Sequence, residues 1–295
     1  MARSTLVPGL SWRSRGRMQK RSRRIVVHIS LMIVGLAFAL PFFWLITSSL
    51  KAKGQLFMMP PRWIPDPIMW SNYPQALTYI PYFTYLRNTI VVALFSATAN
   101  TAACSLVAYG FARIRWPGRN AVFVVVIAIM MLPYAVRIIP EYVLFSKLRL
   151  VGGLGPLMWP FALCWGGEYL IFLLRQFFLT IPMELSDSAK IDGCSEFGIC
   201  FRIVLPLSKP ALATVWIMEF IWHWNNFLRP LIYLNDQRDY TLALGLYGFL
   251  AQRQLEAEWH LLMAAAVVTT LPIIVLFLVA QRAFVQGISM TGIKG

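Results

Sequence analysis

Apolar residues along the chain gather in long blocks rather than alternating with polar ones. The blocks approach the roughly 20 residues that carry a helix across a bilayer. Six are read as spanning helices: Ile25–Leu50, Tyr85–Phe111, Ala121–Phe145, Gly155–Phe178, Pro210–Leu234 and Leu261–Ala283. The first contains Pro41 and follows a stretch, residues 1–24, with eight Lys/Arg and no acid. It is longer than the core of about 7–15 residues in a cleavable signal and has no clear small-residue exit, so it reads as a retained first span. The third holds Pro133, Arg137, Pro140 and Glu141. A kinked or broken helix is expected there, because neighbouring helices can satisfy the carbonyls that proline frees. Between the first two blocks, residues 51–83 carry Pro60, Pro61, Pro65, Pro67, Pro74 and Pro81. So much proline opposes a helix, while Trp63, Trp70 and Tyr73 suit an interfacial belt. The expected fold is an all-α integral membrane protein: a basic tail over 1–24, then one transmembrane domain over 25–295 with a loop at 179–209 between the fourth and fifth helices.

Composition sharpens this. Hydrophobic residues make up 58% and charged ones 13%, against about 25% charged in an average soluble domain. The mean hydropathy is +0.63. A soluble globular chain and a disordered one are both excluded. The net charge of +15 would in a polar chain point to nucleic acid. Here it sorts by side. With the N-terminus in the cytoplasm, 17 of the 27 basic residues fall on inner segments, nine on outer ones, and Arg137 within the third span. That bias follows the positive-inside rule and places both termini in the cytoplasm. Membrane lipid is then a partner and nucleic acid is not.

Candidate chemistry is sparse. Cys104, Cys164, Cys194 and Cys200 have no disulfide or metal spacing and read as small apolar fillers. His28, His223 and His260 have no ligand spacing. No hydrolytic arrangement of Ser, His, Asp or Cys appears, and there is no phosphate-binding G-x-x-x-x-G-K-[ST] loop. The chain is therefore not read as an enzyme, and no metal or cofactor is expected on it.

The most informative segment is Arg175–Pro210. Pro182 suits a helix start, with Glu184 and Asp187 in the first turns, where the helix dipole favours acids. Gly193 would end that helix. A second helical stretch over about 195–204 then runs into Pro206 and Pro210. Such a helix–glycine–helix unit could lie along the membrane face, pack only on its own bundle, or dock on a partner.

Glu184, Asp187-Ser188-Ala189, Asp192-Gly193-Cys194 and Leu205-Pro206 resemble the EAA loop of ABC-transporter permeases. That loop reads Glu-Ala-Ala, then Asp-Gly-Ala, then Leu-Pro. Here Asp187 and Ser188 stand for Glu and Ala, and Cys194 replaces the last alanine. The stretch Trp222-His-Trp224-Asn225-Asn226 resembles the Trp-Asn-Asp segment of carbohydrate importers, with Asn226 where Asp is common. Asn72-Tyr73, Arg87-Asn88-Thr89, Trp116-Pro117-Gly118-Arg119, Tyr240–Leu246 and the tail Gln281–Gly295 are similar to the same family. The resemblance covers nearly all of the chain after residue 25. It is that of the second permease in a maltose-type, binding-protein-dependent uptake system.

The resemblance implies a second homologous permease, two ATPase subunits that hold ATP and Mg, and an extracytoplasmic solute-binding protein. It implies a bacterial or archaeal cytoplasmic membrane. It also implies that Glu184, Asp187, Ser188, Ala189, Asp192 and Gly193 couple this chain to the ATPase. Asp187 and Asp192 would pair with basic residues across that joint, and Gly193 would let chains approach closely.

Other residues are weighed by their chemistry. Ionisable side chains inside a bilayer are functional candidates. Arg137 and Glu141, four apart, are expected to pair on one helix face. Glu168 and Glu219 are candidates for lining the pathway or pairing with the partner permease. Trp222, Trp224, Asn225 and Asn226 offer stacking faces and amides suited to a sugar, or an interfacial belt. An ion-coupled secondary transporter using Glu168 or Glu219 is the alternative class. Within the ABC reading, glycerol phosphate is the alternative substrate.

Overall fold

The computed structural model describes residues 11–251 and 258–291, and side chains over 23–250 and 258–281. The first ten residues of the basic tail, Arg253, and Gly292, Lys294 and Gly295 of the tail motif lie outside the described residues. Among the described residues all regular structure is helical. Four helices are long and apolar enough to cross a membrane, or six if each of two sharply bent pairs counts as one span.

The first span is α1, Ser11–Ser49, with Pro41 inside it. Its apolar face from Ile25 to Phe43 is exposed, and it meets the rest of the chain chiefly at the last helix. The proline-rich segment forms a short helix after all, α2, Asn72–Tyr79. Pro74 falls in its first turn, where the proline's missing N–H has no intrahelical partner to lose. The second span is α3, Tyr82–Ala112. The third is broken as expected. α4, Arg119–Met130, and α5, Tyr134–Lys147, meet at 102° across Met131–Pro133. Pro133 forces the turn, while Pro140 stays inside α5.

The fourth span is less regular than its sequence implies. It starts with α6, Gly155–Met158, and a tight turn over Trp159–Leu163. The helix is then interrupted at Cys164 (φ 60°) and Gly166 (φ 74°) before α7, Glu168–Thr180. A Cβ at Gly167 would run into the Sγ of Cys104, so glycine is needed for this close approach. In the loop that follows come α8, Glu184–Ile191, α9, Glu196–Ile199, a π turn over Cys200–Val204, and α10, Leu205–Leu207. The fifth span is α11, Lys209–Asn225; it stops earlier than expected, and α12, Leu228–Tyr233, follows a break at Asn226 and Phe227. α13, Leu242–Ala251, is an apolar helix not foreseen from the hydrophobic pattern. The sixth span is α14, Trp259–Thr291, with Pro272 inside.

α3 is the centre of the bundle, packed against α7, α11 and α13. Ala93, Ala97, Cys104 and Ala108 are fully buried on it. Small residues at these helical steps let neighbouring backbones come close, the usual source of packing between helices in lipid. Polar anchors fix its register. Asn88 donates to the carbonyls of Arg238 (2.8 Å) and Tyr240 (3.0 Å), and Thr89 Oγ1 accepts from the Leu242 N–H at 2.7 Å. Ser96 donates to the Leu157 carbonyl at 2.8 Å, a carbonyl at the end of α6. All four cysteines are free, and Cys104 and Cys200 are buried fillers.

Candidate functional site

Two groups of residues carry the chemistry: the α8–α9 unit beyond the end of α7, and a polar cluster where α5, α7, α11 and α12 meet.

The α8–α9 unit forms where the sequence signals place it. Glu184 and Asp187 lie in the first turn of α8 and Lys190 in the last, each favourable to the helix dipole. Ser188 donates to the Glu184 carbonyl at 2.8 Å. The helix closes with the Gly193 N–H bonded to Lys190 O (3.0 Å) and the Cys194 N–H bonded to Ala189 O (2.9 Å). This is a Schellman closure, which needs a left-handed residue at its centre; Gly193 has φ 82°. A Cβ at Gly193 would meet nothing within 4 Å. Within this chain the glycine therefore serves backbone conformation. Ser195 caps α9 by accepting from the Gly198 N–H at 3.2 Å.

The two faces of α8 differ. Ser186 and Ala189 are buried against the bundle, whereas Glu184, Asp187, Ser188, Asp192 and Gly193 are exposed, as are Leu185 and Ile191. Ala189 therefore faces its own chain. Its small side chain seats α8 against the bundle. Lys190 Nζ lies 2.7 Å from the Glu196 carboxylate. That hydrogen bond, and a second from Tyr109, hold the Glu196 carboxyl below the usual carboxylate range.

The polar cluster corrects the expected pairing of Arg137 with Glu141. They share a helix, but each turns to a different neighbour. Arg137 donates to Glu168 Oε1 on α7 at 3.0 Å. Glu141, 3% exposed, takes Arg229 of α12 at 3.1 Å, the Tyr233 hydroxyl at 2.9 Å and the Trp165 indole N–H at 3.0 Å. A buried carboxylate at bilayer depth needs such a set of donors. An i,i+4 pair would have left Glu168 and Arg229 unpaired. Glu219 accepts from Asn100 Nδ2 of α3 at 2.8 Å and lies 3.4 Å from His223 Nε2. Glu168 and Glu219 are thus both engaged within this chain.

A cavity of about 490 Å³ opens beside this cluster, lined by Tyr134, Ile221, Trp222, Asn225, Asn226, Phe227, Leu228 and Arg229. Trp222 presents its ring there at 46% exposure. Asn225 donates to Ile221 O at 2.8 Å, and Asn226 Oδ1 accepts from the Arg229 N–H at 3.1 Å. Trp224 does not reach the cavity. It is 2% exposed and stacks on Phe220 in the core, because two positions along a helix point it away from Trp222. Arg229 and Tyr134 are lining residues that sequence reasoning missed. Their signal was an arginine and an aromatic just after helix breaks at Asn226–Phe227 and Pro133, breaks that lie inside the continuous spans the hydropathy suggested. The guanidinium of Arg229 lies 4.8 Å from the Tyr134 ring centre and 5.7 Å from that of Trp222, within range of cation–π attraction.

Residues 101–290 match the family described as binding-protein-dependent transport system inner membrane component. The arabinooligosaccharides transport system permease protein of Bacillus subtilis is 34% identical over 279 residues, which cover 92% of this chain and 96% of that protein. The sn-glycerol-3-phosphate transport system permease protein of Yersinia pestis is 31% identical over 275 residues, covering 91% and 97%. The fold matches a chain of a bacterial ABC transporter that imports the acidic polysaccharide alginate, with a TM-score of 0.76 at 22% identity over 95% of this chain and all of that one. A second match, with a TM-score of 0.60 at 14% identity over 91% of this chain and 98% of that one, comes from an alginate transporter in complex with a pentasaccharide-bound periplasmic protein.

Proposed function

The chain belongs to the family of binding-protein-dependent transport system inner membrane components, and we propose that it is the permease subunit through which an ATP-driven importer moves an oligosaccharide. The observation that carries the substrate class is the cavity at Trp222. It offers a flat aromatic face and two amides, with one cation already neutralised by Glu141. Aromatic faces and amides match the apolar faces and hydroxyls of a sugar. A phosphate ester would need uncompensated positive charge, and Arg229 is committed to Glu141. That favours the arabinooligosaccharide relative over the glycerol-phosphate one as the guide to substrate.

The coupling element is α8. Its exposed Glu184, Asp187, Ser188 and Asp192 form a short acidic surface on a helix closed rigidly by Gly193. In this reading α8 lies in the cytoplasm against an ATPase subunit, two of which hold ATP and Mg. A second homologous permease completes the pathway, and an extracytoplasmic solute-binding protein delivers the sugar. Both termini are cytoplasmic. The exposed apolar face of α1 meets lipid or the second permease.

Trp222→Ala tests the cavity. Uptake of labelled arabinotriose by the assembled importer is expected to fall about fivefold, since stacking of this kind contributes on the order of 1 kcal/mol. The ATPase subunits should stay bound. Uptake unchanged in Trp222→Ala would remove the cavity from the pathway.

A further inference from the structure

We propose that Tyr109 and Arg113, one turn apart at the end of α3, are the positioning residues that carry motion of α8 into the bundle. The inference rests on α8 being the coupling element. Arg113 is 3% exposed. Its Nη2 donates to the Ile181 carbonyl at 2.7 Å, and its Nη1 lies 3.4 Å from the Pro182 carbonyl and 3.1 Å from the Met183 sulfur. These residues join α7 to α8, so the guanidinium fork grips the entry to α8. Tyr109 donates its hydroxyl to Glu196 at 2.7 Å, and Glu196 is bound in turn by Lys190 in the last turn of α8. The exit of α8 is therefore held as well. Burial of the guanidinium pulls the Arg113 pKa down, and the charge of Asp187 on the exposed face of α8 partly offsets this.

Tyr109 and Arg113 sit on one face of α3 because they are four residues apart. One helix thus holds both joints of α8. α3 is 31 residues long, about 46 Å at 1.5 Å per residue. At its other end Asn88 and Thr89 hold residues 238–242, which lead into α13. No other helix in the described residues is tied by side chains to both the α8 joints and the α13 approach. A displacement of α8 is thereby imposed on α3 as a rigid body and delivered to that approach. The charge-assisted bonds at both joints are of the stronger kind, and the fork geometry of Arg113 is not available to lysine.

The test uses the complete importer with its ATPase subunits and purified solute-binding protein. Two quantities are read: the ATPase that copurifies, and the fold-stimulation of ATP hydrolysis by the binding protein. Tyr109→Phe, Glu196→Ala and Arg113→Lys are expected to retain bound ATPase but lose most of the stimulation, at least fivefold. Glu196→Gln keeps an acceptor for Tyr109 and should retain more than Glu196→Ala. The double variant Tyr109→Phe/Glu196→Ala should be no worse than the poorer single one. Wild-type stimulation in Tyr109→Phe, Glu196→Ala and Arg113→Lys, with Asp187→Arg impaired, would overturn this proposal and leave α8 as the coupling element. Wild-type stimulation in Asp187→Arg as well would overturn the coupling reading itself. Loss of bound ATPase in Tyr109→Phe would also overturn the proposal, because the residue would then serve docking.

Discussion

Glu141→Ala is expected to lower the stability of the purified protein by about 3–5 kcal/mol, the range for removing one partner of a buried ion pair. In detergent this should appear as a fall in melting temperature on the order of 10 °C. Glu141 accepts from Arg229, Tyr233 and Trp165, so its loss leaves the buried guanidinium and Tyr233 hydroxyl, and the half-buried Trp165 indole, without this acceptor. Most of the cost comes from the uncompensated Arg229, which is 4% exposed. Glu141→Ala/Arg229→Met should therefore regain much of what Glu141→Ala loses, since replacing both charges leaves no buried ion. The measurement is a thermal melt of the three proteins side by side. A melting temperature for Glu141→Ala equal to that of the unaltered protein would mean that water reaches Arg229 and that the cluster is not a buried structural centre.

The second large effect concerns the α8 joint. Asp187→Arg and Gly193→Val are each expected to cut sugar uptake by the assembled importer at least tenfold while ATP hydrolysis continues. Asp187→Arg reverses a charge on the exposed face of α8 and puts a second cation near Arg113. Gly193→Val forces a β-branched residue to φ 82°, a left-handed conformation that costs an ordinary L-residue about 1–2 kcal/mol. The Schellman closure at Lys190 and Ala189 would open and α8 would lose its fixed angle to α9. Because the space at Gly193 is open, backbone strain should set the order of effects. Gly193→Asn, which tolerates that conformation, should be milder than Gly193→Val. Paired assays of uptake and ATP hydrolysis check this. Equal defects in Asn and Val would point to steric contact with a partner instead.

Much of this was legible from the residues. The six apolar blocks all became helices, bent pairs or interrupted helices close to their expected positions, because in a bilayer a helix satisfies the backbone polar groups of such a run. The fourth became α6, a tight turn and α7, interrupted by the left-handed residues Cys164 and Gly166 yet still one candidate span over Gly155–Thr180. The α8 unit was readable in detail, because proline, acidic residues and glycine mark local conformation. What stayed hidden was non-local. Nothing in the spacing of Arg137 and Glu141 says that they face different helices, because their partners Glu168 and Arg229 are 31 and 88 residues distant. Trp222 and Trp224 look alike in sequence, yet one lines a cavity and the other fills the core. α13 was missed because a ten-residue apolar run is too short to score as a span.

The central claim is that this chain serves an ATP-driven importer. Its most direct test is uptake of labelled arabinotriose into proteoliposomes holding the complete complex, with ATP and with a protonophore. The account predicts uptake that needs both ATP and the solute-binding protein and is untouched by the protonophore. Uptake that runs without ATP and stops when the proton gradient collapses would contradict it.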